Sequence, residues 1–82
     1  MPPTGNLIEI VVNGKSREVP NGLTLNALLA HLEIKPERVA IERNRAIVRK
    51  PEWATTEVLT GDQLEIVWFV GGGSSSYKYG DL

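Results

Sequence analysis

One run of leucines limits what this chain can fold into. Leu25, Leu28, Leu29 and Leu32 fall at i, i+3, i+4 and i+7, which draws a single apolar stripe along a helix. Thr24 stands where an N-cap belongs, and Pro36 lies just past the predicted end. The result is a helix of about three turns. A helix that short does not persist alone in water and must lay its leucines on something else. With 82 residues there is room for one small domain and little for an internal catalytic cavity.

The remaining periodicity is that of strands. Leu7–Val12 is rich in β-branched residues, and Asn13-Gly14 after it is the strongest short hairpin signal, because both residues tolerate positive φ. Lys15–Val19 then returns antiparallel, and Pro20-Asn21-Gly22 closes it in a turn. After the helix, Val39–Glu42 reads as a third strand, Arg43-Asn44-Arg45 as a turn and Ala46–Val48 as a short fourth strand. Pro51–Thr56 reads as a helical turn or compact loop pinned by the Trp53 indole. Gly61-Asp62 forms a turn before the last strand, Gln63–Val70, whose apolar density suits a central position. The order predicts an α+β domain, one helix and one mixed sheet around a single core. It spans residues 7–70, between a flexible leader (1–6) and a tail (71–82) whose Gly71–Ser76 stretch has the composition of a flexible linker.

Composition removes several functional classes. A 41% hydrophobic content is that of a globular protein. Nine basic and ten acidic residues give a net charge of −1, without the positive excess that nucleic-acid binding rewards. The absence of cysteine removes disulfides, thiolate metal sites and thiol nucleophiles. The apolar stretches are too short to span a bilayer, and Met1-Pro2-Pro3 does not open a signal peptide, so a cytoplasmic location is expected.

The last strand runs into Gly71-Gly72-Gly73, and three consecutive glycines cannot belong to a packed strand. A glycine arm leaving a folded body makes sense where it must enter a narrow active site of a partner and offer a carboxylate without side chains around it.

Trp53-Ala54-Thr55-Thr56, Leu59–Val67 with its Gly61-Asp62, and Phe69-Val70-Gly71-Gly72-Gly73 together resemble the ThiS family, sulfur carriers of thiamine thiazole biosynthesis with the ubiquitin-like β-grasp fold. The Val12–Lys15 hairpin and the Thr24–Leu29 helix start fit the same pattern, so the similarity runs from Leu7 to Gly73. The resemblance implies a β-grasp sheet of four to five strands and a carrier, not an enzyme, with no cofactor of its own. A ThiF-like adenylating enzyme would use ATP to activate the carboxylate of Gly73, or of Gly72 if the chain is cut one residue earlier. A cysteine desulfurase or other persulfide donor would convert it to a thiocarboxylate, and thiazole synthase would take the sulfur. Val67, Phe69, Val70, Gly71 and Gly72 are the expected partner-binding residues.

Family members end at these glycines, whereas Ser74–Leu82 follow here. Three readings stay open: a precursor cut after Gly73 by a processing protease, an added extension, or a natural variant or fusion whose tail has another role. A protein modifier joined through its glycine carboxylate, or a carrier serving molybdopterin or cysteine synthesis, would share the fold. An RNA-binding β-grasp module is opposed by the balanced charge.

Other residues carry blander expectations. Glu65, Val67 and Phe69 should share one face of the last strand, opposite Leu64, Ile66 and Trp68. If Glu65 faces water, an apolar docking patch lies beside the arm, unless a loop or the Trp53 segment covers it. Arg43, Arg45, Arg49 and Lys50 read as a solvated, charged turn, Trp53 as a packing anchor and His31 as a residue of the helix's polar side or rim. Glu52, Glu57 and Asp62 show no spacing that argues for an acid/base pair.

Overall fold

The computed structural model describes residues 6–69. The elements follow in the order β1 (Leu7–Val12), β2 (Lys15–Pro20), α1 (Leu25–His31), β3 (Val39–Arg43), β4 (Ala46–Val48) and β5 (Gln63–Trp68). Short 3-10 turns occupy Pro36–Arg38 and Lys50–Glu52. The strands form one sheet in the order β2-β1-β5-β3-β4, in which β1 and β5 are parallel and the other pairs antiparallel. The last strand is thus central, and the sheet holds one helix in the β-grasp arrangement that the sequence predicts.

The hairpin turn lies at Asn13 and Gly14, with φ of 51° and 83°. A second turn of the same kind joins β3 to β4 through Asn44 and Arg45, with φ of 51° and 73°. Arg43 therefore belongs to the strand and not to the turn.

The helix has seven residues, shorter than the leucine spacing suggests. Leu25, Leu28 and Leu29 are fully buried, whereas Leu32 is the C-cap and only half-buried. Both ends are tied down by chain from elsewhere or by capping geometry. At the start, Thr24 Oγ1 accepts from the Ala27 N–H, Thr56 O from the Leu25 N–H and Trp53 O from the Asn26 N–H. The 50–58 loop thereby satisfies donors that a helix start leaves open. At the other end the Glu33 N–H reaches Ala30 O and the Ile34 N–H reaches Leu29 O, a Schellman closure with Glu33 in the left-handed position at φ 63°. That position favours glycine, since a side chain there costs about 1–2 kcal/mol.

The core lies between α1 and the inner sheet face, where Ile10 and Val12 of β1, Val39 and Ile41 of β3, and Leu64 and Ile66 of β5 meet the helix leucines. Trp53, 2% exposed, closes this core from the loop and donates its Nε1–H to Val48 O at 2.8 Å, as a packing anchor should.

The parallel β1/β5 pairing covers only Val11↔Gln63 and Val12↔Leu64, because β1 then turns away into its hairpin. Asn13 continues the ladder with its side chain. Its Oδ1 accepts from the Ile66 N–H at 2.7 Å and its Nδ2 donates to Ile66 O at 3.1 Å. One amide side chain thus stands in for a peptide unit.

Two stability predictions follow from these details. Asn13→Gly keeps a residue suited to positive φ but removes the bridge, and should destabilise the domain by about 1–2 kcal/mol in urea unfolding; a neutral result would show that the bridge contributes nothing. Glu33→Gly relieves the left-handed backbone and should raise stability by about 1 kcal/mol in the same assay.

Candidate functional site

The candidate site is the end of β5, where the chain leaves the sheet toward the glycines. Its position is set first at the strand's beginning. Asp62, 5% exposed, takes the Leu59 N–H and the Arg43 Nε–H on Oδ2, at 2.9 and 2.8 Å, and the Asn44 Nδ2–H on Oδ1 at 3.1 Å. Its backbone carbonyl accepts from the Val11 N–H. Asn44 in turn accepts from the Gln63 N–H on Oδ1 and donates its own N–H to Gln63 O. Asp62 therefore joins β1 through its backbone carbonyl, and β3, the β3–β4 turn and the loop before β5 through its carboxylate.

Burial by itself would raise the Asp62 pKa. The hydrogen bonds from Leu59, Arg43 and Asn44 and the Arg43 charge outweigh it and hold the carboxyl below its usual value.

Four residues on, the Asn13 bridge holds Ile66, and farther along the Phe69 N–H donates to Arg38 O at 2.9 Å. Antiparallel pairing with β3 follows β5 to Trp68, opposite Val39. The strand is thus guided by β3 to the last residues before the glycine segment.

Along this strand the faces alternate. Leu64 and Ile66 are 1% and 2% exposed beneath the helix, and Glu65 is exposed on the outer face. Val67 and Phe69 lie half-buried, so the docking patch expected there is narrower than full exposure would give. Glu42 lies directly opposite Glu65 on β3, which borders the patch with carboxylates. Trp53 belongs to the core cluster, and Val67 and Phe69 lie outside it. Trp68 departs from its face: it follows Leu64 and Ile66 in alternation yet is 50% exposed, because β5 runs past the end of the helix. Val70, Gly71, Gly72 and Gly73 lie outside the described residues, as do residues 1–5 of the leader and Ser74–Leu82.

The basic cluster is divided among separate tasks. Arg43 makes the ion pair with Asp62, and Lys50 Nζ sits 5.4 Å from the centre of the Trp53 ring. Arg45 and Arg49 are exposed, as the reading of a solvated turn requires. His31 is exposed at the helix's last turn, and among the described residues no group of three or more histidine, aspartate or glutamate side chains is placed to hold a metal. No helix among them is long and apolar enough to cross a membrane.

Sequence reasoning missed the structural roles of Asp62 and Asn13. The Gly61-Asp62 and Asn13-Gly14 turns were visible, but the partners of these side chains lie up to 53 residues away and no local spacing announces them.

The Asp62 geometry has a pH signature. Its folded pKa lies below the unfolded value of about 3.9, so its contribution is complete above that value and disappears as pH falls through the folded one. Asp62→Asn should lower stability at neutral pH and flatten the acid limb of a stability–pH curve. A curve of unchanged shape would remove Asp62 from the acid response.

Comparison with known proteins agrees with this architecture. The model of the ThiS family matches residues 5–73. A thiazole synthase of Paramagnetospirillum magneticum is 45% identical over 67 residues, which are 82% of this chain but 21% of that protein. The chain thus spans about a fifth of the length of the thiazole synthases it matches. The sulfur carrier protein ThiS of Bacillus subtilis is 40% identical over 50 residues, 61% of this chain and 76% of that one. The crystal structure of the thiamine biosynthesis protein ThiS from Geobacter metallireducens superposes with a TM-score of 0.72 at 32% identity, covering 80% of this chain and all of that one. The chain belongs to the ThiS family of ubiquitin-like sulfur carriers.

Proposed function

From this membership we propose that the protein carries sulfur as a thiocarboxylate on Gly73 and delivers it to thiazole formation in thiamine biosynthesis. The observation that carries the reading is the family match, which runs through the folded body and stops at Gly73. The central, well-anchored β5 supports it, because a strand held by side-chain bridges at Asp62 and Asn13 presents whatever follows it from a fixed origin.

The chemistry follows from the acid group. A carboxylate is a poor electrophile, so a ThiF-type enzyme transfers AMP from ATP onto the Gly73 carboxylate and releases pyrophosphate. The outer sulfur of a desulfurase persulfide displaces AMP, and a thiol reductant cleaves the resulting acyl disulfide to leave the thiocarboxylate. Thiazole synthase is the acceptor. The carrier contributes no acid, base or nucleophile beyond its own terminus, and its work is presentation: Val67 and Phe69 flank the departure point, with Val70, Gly71 and Gly72 as the segment a partner's channel grips. In a chain where Gly73 is bonded to Ser74 the carboxylate is an amide, so separation of residues 74–82 precedes activation in this reading.

A chain ending at Gly73 should support ATP–pyrophosphate exchange with a ThiF-type enzyme, and the 82-residue chain should not. Persulfide donor and ATP should then add one O-to-S mass exchange to the shorter chain, whereas isopeptide adducts would point to a protein modifier. Equal exchange by both lengths would overturn the need for a free Gly73. Gly72→Val in the shorter chain should leave the melting curve unchanged and depress exchange, since a branched side chain obstructs a channel shaped for glycine.

A further inference from the structure

We propose that the groove beside the end of β5 is a docking site for an acidic segment of the adenylating enzyme that ends in an apolar side chain. The proposal rests on the carrier reading above and adds the place and chemistry of the contact. The groove is open, has a volume of about 380 Å³ and is lined by Glu33, Ile34, Lys35, Arg38, Trp68 and Phe69. It exists because α1 stops at His31 while β5 continues, so that the segment after the Schellman closure forms the opposite wall.

Three observations converge there. Trp68 projects on the helix side of the sheet but finds no helix above it, and half of its surface faces solvent. Tryptophan is enriched among residues that dominate interface energies, and its half-exposed ring beside Ile34 offers an apolar seat. Lys35 and Arg38 flank that seat, and among the described residues neither has an ion-pair partner. They face a single groove carboxylate, Glu33, so the groove is cationic overall and complements an acidic ligand.

The third observation concerns reach. Phe69 is part of the groove and is bonded to Arg38 O, and Gly73 follows four residues later. Four residues extend at most about 14 Å. An enzyme holding Gly73 in its catalytic centre therefore has its surface within that distance of the groove, inside the footprint of an ordinary protein interface.

The test uses the chain ending at Gly73, ATP and a ThiF-type adenylating enzyme, with pyrophosphate exchange followed against carrier concentration. Trp68→Ala and the pair Lys35→Glu/Arg38→Glu should each raise the half-saturating concentration about tenfold or more with little change in maximal rate. Glu33→Gln should move it the other way, and the charge-reversed pair should lose most of the wild-type weakening by added salt. Melting curves check folding; should Trp68→Ala fail to fold, the exposed charge pair decides. Wild-type exchange with unchanged half-saturation in the variants overturns the docking site alone, whereas no exchange by the wild-type chain overturns the carrier reading and this site with it. Acrylamide quenching addresses the rival occupant, because Trp53 is buried and Trp68 dominates the response. Equal quenching in the 73- and 82-residue chains agrees with a groove awaiting a partner. Protection only in the longer chain would show that residues 74–82 fill it and would overturn the proposal.

Discussion

The structure depends on the insertion of the last strand between two that precede it. β5 enters the gap between β1 and β3, and until it does so those strands have no common sheet. Such a closure brings together residues more than 50 positions apart, and the loop entropy it costs must be offset by contacts that form only at the end. Buried Leu64 and Ile66 provide the apolar part. Direction and register come from polar groups: Asp62 fastens the strand's beginning to β1 and the β3–β4 turn, and Asn13 extends a parallel ladder that backbone pairing leaves at two residue pairs.

The helix depends on the same closure. Seven residues do not form a stable helix alone, and its N-terminal donors are met by carbonyls of the 53–56 loop, which the entry into β5 holds in place. Trp53 is central to this coupling, with its ring in the core, its indole N–H on Val48 and its carbonyl on Asn26. Helix, loop and central strand thus support one another, which is how a domain of this size reaches stability without disulfides.

In the proposed function the carrier's work is presentation. On that reading the chemistry takes place on a terminus, and the folded body contributes a fixed origin for it together with candidate docking surfaces. Two such surfaces meet where β5 ends: a narrow outer patch at Val67 bordered by Glu65 and Glu42, and a cationic groove lined by Trp68 and Phe69. Their opposite charge makes the two sides distinguishable to a partner.

Much of this was legible in the chain itself. Leu25, Leu28, Leu29 and Leu32 announced the helix and, apart from half-buried Leu32, its buried face, Asn13-Gly14 the hairpin, and Gln63–Val70 a central strand that is observed over Gln63–Trp68, because side-chain periodicity and turn chemistry are local properties. The motifs from Trp53 to Gly73 also pointed to the family. What remained hidden was decided by neighbours distant in sequence: the exposure of Trp68 where the helix falls short, the burial of Asp62 among three donors, the reach of Asn13 to Ile66, and the groove beside Lys35 and Arg38. Alternation along β5 assigns a side chain to a face. Only the packed structure decides whether that face is covered, because cover is supplied by segments whose position depends on the whole fold.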